Sequence, residues 1–274
     1  MKKFGLIGHP IAHSFSPSLF KAAYGGEYPY DLIEGNDFED SYRRFLDGYD
    51  AINVTAPFKE KACRKANTLS PECKSIGACN VLKKTADGVM AFNTDYIGVM
   101  KSLLPHLTEN PITPVTLIVG CGGAGKAAAY AARKMGNTVV ILNRDLQKAE
   151  KFAQKLRENT NVHAPIITSP LSYFCRSFKV AGTIIYTLPE AIPQLQELKK
   201  AQIRGGLFKT HPKLVLEANY HNPAFTSEIK RAMTEINPDI KFIDGKQWLL
   251  HQAVEAYGIF TDKEPNITKM LEVL

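Results

Sequence analysis

The sequence predicts an α/β protein built from two domains. Short apolar runs rich in β-branched residues alternate with stretches of helical periodicity along most of the 274 residues, a pattern typical of α/β folds. A chain of this length can bury a substantial core and divide into two domains. A glycine-rich turn follows an apolar strand at Gly120, with about 115 residues before it. Such a turn usually opens a chain. We therefore expect a first domain at residues 1–104, completed by 243–274, and a second at 105–242.

The first domain is predicted from strands and helices that are separated by turn residues. The helix over 16–24 begins at Ser16-Pro17, where serine suits the cap and proline suits the first helical position. Apolar residues at helical spacing predict a helix over 37–46, and Ala86-Asp87-Gly88 joins two strands. The predicted strands are 3–8, 31–34, 51–55, 79–83 and 88–92, and the predicted helices are 16–24, 37–46, 59–66 and 96–104.

The second domain is predicted to begin with a strand–helix–strand unit around the glycine-rich turn. Gly136-Asn137 closes the helix of this unit, because both residue types tolerate the left-handed conformation. The predicted strands are 115–119, 138–142, 164–167, 182–186, 214–217 and 239–244, and the predicted helices are 124–135, 147–157 and 227–236. A last helical region over 247–257 returns to the first domain.

Composition excludes several classes of function. The net charge is +7 and the pI about 9.0, but basic residues are scattered among acidic ones, which argues against nucleic acid and fits anionic small molecules. No apolar run approaches the roughly 20 residues of a membrane span. The five cysteines lack the paired spacing of a metal site. We expect no metal and a reducing, cytoplasmic location.

The glycine-rich turn predicts a dinucleotide site. Gly120, Gly122 and Gly125 match G-x-G-x-x-G. Glycines in this pattern allow a tight turn and bring backbone N–H groups close to a pyrophosphate at a helix N-terminus. We expect Gly123 and Ala124, at the predicted start of the helix, to contact the cofactor as well.

The residues after the next strand favour NADP over NAD. That strand ends in Asn143-Arg144, where NAD-binding folds carry an acid for the ribose 2′-hydroxyl. A guanidinium matches the oxygens of a 2′-phosphate, and Lys148 could add a second positive charge. Asp145 counts against a phosphate here, and Arg144 could instead be a solvated residue at a strand end. We expect NADP, bound at Asn143, Arg144 and Lys148.

Polar residues also collect at loops and strand ends of the first domain. Ser14 and Ser16 place two hydroxyls before a helix, which suits a carboxylate or serves only to cap the helix. Residues 53–59, Asn-Val-Thr-Ala-Pro-Phe-Lys, follow a buried strand. Asp95 could hold the Lys59 ammonium and tune proton transfer, or it could cap the helix that follows. Lys59 could equally begin an exposed helix.

Several short motifs occur in one order over almost the whole chain, and together they resemble the shikimate dehydrogenase family. They are His-Ser-x-Ser-Pro, Asn-Val-Thr-x-Pro-Phe-Lys, Gly-Ala-x-Asn, Asn-Thr-Asp, Gly-x-Gly-Gly-Ala, Asn-Arg and a late Gln-Ala. The resemblance implies an N-terminal α/β substrate domain and a Rossmann-like NADP-binding domain. It also implies the NADPH-dependent reduction of 3-dehydroshikimate to shikimate, a step in aromatic amino-acid biosynthesis.

The resemblance further implies roles for individual residues. Lys59 and Asp95 would form the catalytic pair, with Lys59 as the general acid or base of a hydride-transfer reaction. Ser14 and Ser16 would hold the substrate carboxylate, with Tyr220 near it. The ring hydroxyls would be bound by Thr55, Asn80 and Gln252, and Gly245 is placed among the cofactor-binding residues.

The chain departs from the family pattern at a few positions, mainly in its second half. The departures are Tyr96 for a glycine, Val81 for a threonine, Asp145 for a threonine or serine, Tyr186 in a late Asn-x-Thr/Ser loop, and Gln247-Trp248 for a glycine-methionine pair. Two alternatives therefore stay open: a shikimate/quinate dehydrogenase that uses both NAD and NADP, and a ligand-binding relative without activity. We expect a small-molecule substrate and a monomer or homodimer.

Overall fold

A computed structural model describes residues 1–107, 113–159, 164–198 and 211–274. The chain divides into two compact units, Met1–Gly98 with Leu249–Leu274 and Val99–Trp248. The chain passes from one unit to the other after Gly98 and after Trp248, and both points lie inside helices. The composition of a continuous helix does not mark a domain boundary, and the sequence predicts boundaries after residues 104 and 242 instead. Each unit contains a six-stranded sheet, and the predicted α/β class is confirmed.

The first unit is built around a mixed sheet with the strand order β2-β1-β3-β5-β6-β4. Strand β1 is parallel to β2 and β3, whereas β5 is antiparallel to both β3 and β6. The carboxyl ends of β1, β3 and β6 and the start of β5 therefore share one edge of the sheet. The elements are β1 (Phe4–Ile7), α1 (Ser16–Tyr24), β2 (Tyr30–Leu32), α2 (Phe38–Gly48), β3 (Ala51–Val54), α3 (Lys59–Lys65), β4 (Thr68–Leu69), α4 (Pro71–Ile76), β5 (Val81–Thr85), β6 (Gly88–Phe92) and α5 (Asp95–Leu103).

The second unit is built around a parallel sheet with the order β12-β11-β10-β7-β8-β9. This is the doubly wound order, which reverses between β7 and β10 and places a ligand crevice at the carboxyl ends of those strands. The remaining elements are β7 (Val115–Val119), α6 (Gly123–Lys134), β8 (Thr138–Leu142), α7 (Leu146–Glu158), β9 (Ile166–Ser169), α8 (Phe174–Val180), β10 (Thr183–Tyr186), α9 (Gln194–Glu197), β11 (Lys213–Glu217), α10 (Ser227–Ile236), β12 (Ile240–Ile243), α11 (Gly245–Thr261) and α12 (Ile267–Leu271).

An aromatic core fixes the returning helix α11 to the start of the first unit. Phe260 stacks on Phe4 with ring centroids 5.2 Å apart, and Tyr257 meets Phe20 edge to face at 4.8 Å. All four residues are almost fully buried. Such pairs add to the free energy gained by removing the rings from water. This packing sets the position of Gln252, which lies five residues before Tyr257 on the same helix.

The predicted bounds agree with the structure where periodicity and capping signals are both strong. Helices α1 and α10 and strands β6, β7 and β8 begin and end as predicted. The sequence missed α4, a helix of only six residues capped by the Ser70 side chain, because one and a half turns carry little periodicity. It also missed α12. Among the described residues, no helix combines the length and the apolar character that crossing a membrane requires.

Candidate active site

The Lys59 and Asp95 side chains form a partly buried ion pair at the shared edge of the first sheet. Lys59 Nζ lies 2.6 Å from Asp95 Oδ2, and the side chains are 16% and 6% exposed. Lys59 begins α3 just after β3, and Asp95 begins α5 just after β6. The carboxylate binds Lys59 and Asn80 rather than the helix N-terminus, so the alternative that Asp95 is only a cap is wrong. The pair has the geometry of an ammonium held ready for proton transfer.

The Asn80 side chain joins this pair to two other segments of the first unit. Its Nδ2 donates to Thr94 Oγ1 and Gln252 Oε1, both at 2.8 Å, and to Asp95 Oδ1 at 3.4 Å. Its Oδ1 accepts from the Thr94 N–H at 2.7 Å. The β5–β6 hairpin creates this contact, because it places Asn80 beside the end of β6, where its N–H donates to Phe92 O. Three predicted site residues, Asn80, Asp95 and Gln252, are thus brought together.

The predicted serine pair lies in the loop between β1 and α1. Ser14 Oγ donates to Ser16 Oγ at 3.1 Å and accepts from the Ser16 N–H at 3.2 Å. The N-cap residue of α1 is Phe15, with no side-chain cap hydrogen bond. The expectation that Ser16 caps the helix is therefore wrong, because Ser16 is already its first residue. Two adjacent hydroxyls at a helix N-terminus offer a carboxylate two donors and the positive end of the helix dipole.

The loops after β1 and β3 pack closely against each other. A Cβ atom on Gly8 would lie 2.3 Å from Thr55 Cγ2, and the His9 N–H donates to Ala56 O at 3.0 Å. Glycine is required at position 8 because a side chain there would collide with Thr55. This contact sets Thr55, a predicted site residue, beside the loop that carries the serines.

Two residues that the sequence did not place among the site residues belong to the same network. Thr94 Oγ1 accepts from Asn80 and donates to Gln252 O at 2.8 Å. Asn53 is buried, and its Nδ2 donates to Asn80 O at 3.3 Å. Asn53 belongs to the Asn-Val-Thr motif and Thr94 to the Asn-Thr-Asp motif. An amide or hydroxyl side chain at the end of a buried strand is therefore the sequence signal that indicates both residues.

The Cys79 thiol lies beside the backbone of Lys59. Its Sγ lies 3.8 Å from Lys59 O. Burial raises the pKa of this thiol well above its usual value, so the reactive thiolate is not populated near neutral pH. All five cysteines are free thiols.

Tyr220 and Gly245, predicted respectively near the substrate carboxylate and at the cofactor, lie in the second unit. Tyr220 follows β11 and packs against the His221 ring with centroids 4.4 Å apart. Gly245 begins α11, where a Cβ atom would lie 2.3 Å from Glu217 O. Glycine at this position therefore serves the close approach of α11 to the end of β11.

The glycine-rich turn has the shape that a dinucleotide pyrophosphate requires. Gly120 has a φ of +104°, which favours glycine. A Cβ atom on Gly125 would lie 2.2 Å from Gly120 O, whereas one on Gly122 would meet nothing within 4 Å. Gly122 is the N-cap of α6, with no side-chain cap bond, and the first N–H groups of a helix, here those of Gly123 and Ala124, have no acceptor within the helix. The residues present fit a bound dinucleotide.

The predicted 2′-phosphate site lies at the end of β8 and the start of α7. The Asn143 side chain accepts from the Cys121 N–H at 3.2 Å and donates to Asp145 O at 2.8 Å, so it links this segment to the glycine-rich turn. Arg144 is exposed. Asp145 is the N-cap of α7, where its Oδ1 accepts from the Lys148 N–H at 2.9 Å. The carboxylate therefore has a local structural role beside the exposed guanidinium.

Tyr186 departs from the family pattern without blocking the glycine-rich turn. Its ring is fully buried and meets Phe225 edge to face at 5.7 Å. Its hydroxyl donates to Glu190 O and accepts from the Ile192 N–H, and burial raises the pKa of Tyr186 to about 12. Thr187 is the residue that meets the turn, because its Oγ1 lies 2.7 Å from the Cβ position of Gly120.

A metal has no evident ligand set in the described part of the chain. Across residues 1–107, 113–159, 164–198 and 211–274, no three or more His, Cys, Asp or Glu side chains are grouped so that they could hold an ion. The arrangement at the sheet edge instead offers an ammonium for proton transfer, paired hydroxyls for an anion, and amide groups for neutral hydroxyls.

Comparisons with known proteins agree with the predicted resemblance. Residues 6–82 match the family model for the shikimate dehydrogenase substrate binding domain. The shikimate dehydrogenase (NADP(+)) of Bacillus subtilis strain 168 is 29% identical over 100% of this chain and 97% of its own length. The structure of shikimate 5-dehydrogenase from Thermus thermophilus in complex with shikimate has a TM-score of 0.78 at 26% identity, covering 100% of this chain and 97% of the other.

A third comparison supports the fold. Quinate dehydrogenase from Corynebacterium glutamicum in complex with NAD has a TM-score of 0.80 at 23% identity, with 99% of this chain and 98% of the other covered. Sequence and fold thus agree over the whole chain, and the predicted resemblance to the shikimate dehydrogenase family is confirmed.

The two glycines of the turn should respond differently to alanine. Gly125→Ala should lower the melting temperature of the protein, on the order of 5 °C, because its Cβ would overlap the backbone oxygen of Gly120. Gly122→Ala is the matched control, since its Cβ meets open space at a negative φ of −82°. Differential scanning calorimetry of both variants measures the effect, and equal melting temperatures would contradict the close approach.

Proposed function

We propose that this chain, whose resemblance to the shikimate dehydrogenase family is now established, reduces 3-dehydroshikimate to shikimate with NADPH. The observation that carries the proposal is the partly buried Lys59–Asp95 pair, 2.6 Å apart and linked through Asn80 to Gln252. The first unit would be the substrate domain and the second the NADP-binding domain. The reaction would belong to aromatic amino-acid biosynthesis.

The residues of the first unit would bind three kinds of polar group on the substrate: the carboxylate, the ring hydroxyls and the ring ketone. Ser14 and Ser16 would donate hydrogen bonds to the carboxylate, and Thr55, Asn80 and Gln252 would bind the ring hydroxyls. Lys59 Nζ would give a proton to the oxygen of the ring ketone as that oxygen gains negative charge, and the same group would take the proton back in the reverse direction. Asp95 would hold the ammonium in position. Tyr220 would lie near the carboxylate.

The residues of the second unit would bind NADP. The bound nicotinamide supplies the hydride that the reaction needs. Gly120, Gly122, Gly123 and Ala124 would hold the pyrophosphate at the N-terminus of α6. The 2′-phosphate would be bound by Asn143, Arg144 and Lys148, and Gly245 would complete the cofactor site.

Asp145 favours a second candidate function, a shikimate/quinate dehydrogenase that uses both NAD and NADP. Its carboxylate caps α7 directly after Arg144, lies 20 residues beyond Gly125, and repels a phosphate while accepting from a ribose hydroxyl. A ligand-binding relative without activity is the remaining alternative. We also propose a cytoplasmic protein, as a monomer or homodimer.

Steady-state assays separate these possibilities. Purified protein should oxidise NADPH in the presence of 3-dehydroshikimate. The absorbance of the reduced nicotinamide measures this oxidation. Turnover of shikimate and of quinate, each with NAD and with NADP, then ranks the substrates and cofactors. Preference for shikimate and NADP supports the first proposal, comparable use of quinate and NAD supports the second, and shikimate binding without turnover supports the third.

Lys59→Ala should lower kcat by about 10²-fold or more, because the general acid is lost, while shikimate still binds. The matched control is Lys61→Ala, which removes an exposed lysine of the same helix and should leave kcat unchanged. The measurements are steady-state kinetics and shikimate binding by calorimetry. Turnover of Lys59→Ala close to that of the unmodified protein would remove Lys59 from the mechanism.

Arg144→Ala should raise KM for NADPH by about tenfold or more and change KM for NADH little, because only NADPH carries the 2′-phosphate. Arg231→Ala, which removes an exposed arginine of α10, should affect neither cofactor. Kinetics with both cofactors measure the difference. An equal effect of Arg144→Ala on NADPH and NADH would rule out the 2′-phosphate contact.

A further inference from the structure

Thr187 directly follows β10 and is not among the residues that the sequence places in the site. Its backbone N–H donates to Val119 O at 2.9 Å, and its Oγ1 hydroxyl donates to the same oxygen at 2.8 Å. The hydroxyl has one proton, and a backbone carbonyl has two lone pairs. Thr187 therefore supplies two donors to a single carbonyl, that of the last residue of β7.

The peptide group between Val119 and Gly120 is held on its other side as well. The Gly120 N–H donates to Leu142 O, at the end of β8, at 2.8 Å. Strands β8 and β10 lie on either side of β7 in the sheet. Because a peptide group is planar, hydrogen bonds to both its oxygen and its N–H fix the orientation of the plane from which the glycine-rich turn begins.

The Thr187 hydroxyl also occupies the space that two glycines leave open. A Cβ atom on Gly120 would lie 2.7 Å from Thr187 Oγ1, and one on Gly125 would lie 3.0 Å from it. The same hydroxyl thus lies against the first glycine of the turn and against the third residue of α6. A shift of the turn toward β10 would collide with this side chain.

The turn leads from this fixed peptide to the donors that suit a pyrophosphate. Its Cys121 N–H is already bound by Asn143 Oδ1 at 3.2 Å. The N–H groups of Gly123 and Ala124 belong to the first turn of α6, where a helix offers donors to an anion. Donors whose direction is set before binding lose less conformational entropy when the ligand arrives. The contacts of Thr187 help to set that direction.

We propose that Thr187 is a positioning residue that holds the glycine-rich turn in the shape that binds the pyrophosphate of NADP. The proposal rests on the proposed function, in which this turn belongs to the cofactor site. Thr187 acts through the Val119 carbonyl, which takes its hydroxyl proton. Loss of the hydroxyl should therefore weaken NADP binding and leave shikimate binding, which we assign to the first unit, unchanged.

The test compares Thr187→Ala with Thr187→Ser. We expect Thr187→Ala to raise the Kd for oxidised NADP about fivefold, because one hydrogen bond to the carbonyl is lost. Thr187→Ser keeps the hydroxyl and should bind NADP within about twofold of the unmodified protein. Titration calorimetry measures both constants without turnover.

Thr234→Ala is the matched control. It removes a threonine hydroxyl that also donates to a backbone carbonyl of the second unit, Lys230 O at 2.9 Å, on the exposed side of α10. This variant should leave the Kd for NADP unchanged. The Kd for shikimate, measured in the same way, should be unchanged in all three variants.

Three results would overturn the proposal. An unchanged Kd for NADP in Thr187→Ala, even with a lower melting temperature, would leave the hydroxyl only a structural role. Equal losses of affinity in Thr187→Ala and Thr187→Ser would assign the effect to the methyl group. An equal loss of NADP and shikimate binding would show general damage to the protein.

Two further points keep the outcome decisive. Should Thr187→Ala fail to fold, Thr187→Val removes the hydroxyl, keeps the branched shape and should raise the Kd for NADP by a similar factor. Absence of NADP binding by the unmodified protein would remove the proposed cofactor, and this inference with it. NADP binding without turnover of 3-dehydroshikimate would remove the proposed reaction only, because the binding constants of the variants decide this inference independently.

Discussion

The site of the first unit depends on one buried side chain, the amide of Asn80, because a buried amide requires hydrogen-bond partners. The side chain is only 2% exposed, and leaving a buried polar group without a hydrogen bond costs about 1–3 kcal/mol. Thr94, Asp95 and Gln252 supply those partners from two distant parts of the chain. Each partner is thereby fixed, and Asp95 is held at the distance from which it pairs with Lys59.

Much of this arrangement follows from local sequence, but the contacts between segments do not. The ends of β7 and β8 follow from apolar runs next to glycine and polar residues, and a polar group at the end of a buried strand indicates a site. That Ser16 is a helical residue and not the cap depends on the backbone path of the preceding loop, for which the sequence has no signal. The sequence gives no signal for Tyr30, because a tyrosine in a strand matches ordinary β propensity, and only the sheet order brings its hydroxyl to Asn53.

The departures of the second unit from the family pattern have different physical consequences. Tyr186 turns its ring into the core and satisfies its hydroxyl with the backbone, while Thr187 meets the glycine-rich turn. Asp145, in contrast, lies exposed at the start of α7, next to Arg144. The Tyr186 side chain is thus accommodated by core packing, whereas Asp145 leaves a carboxylate next to the Arg144 guanidinium, at the segment where we propose that the 2′-phosphate binds.

The first unit is discontinuous in sequence, and this has a consequence for the order in which the protein is made. Its sheet comes from the first residues of the chain, but Gln252 and the aromatic residues of α11 belong to the segment Leu249–Leu274. On the ribosome, the second unit is contiguous and is synthesised completely before this segment emerges. Until then Asn80 lacks one of its acceptors, and Phe4 and Phe20 lack the rings that cover them. A nascent chain, or one truncated before Leu249, would therefore expose apolar surface to chaperones and proteases.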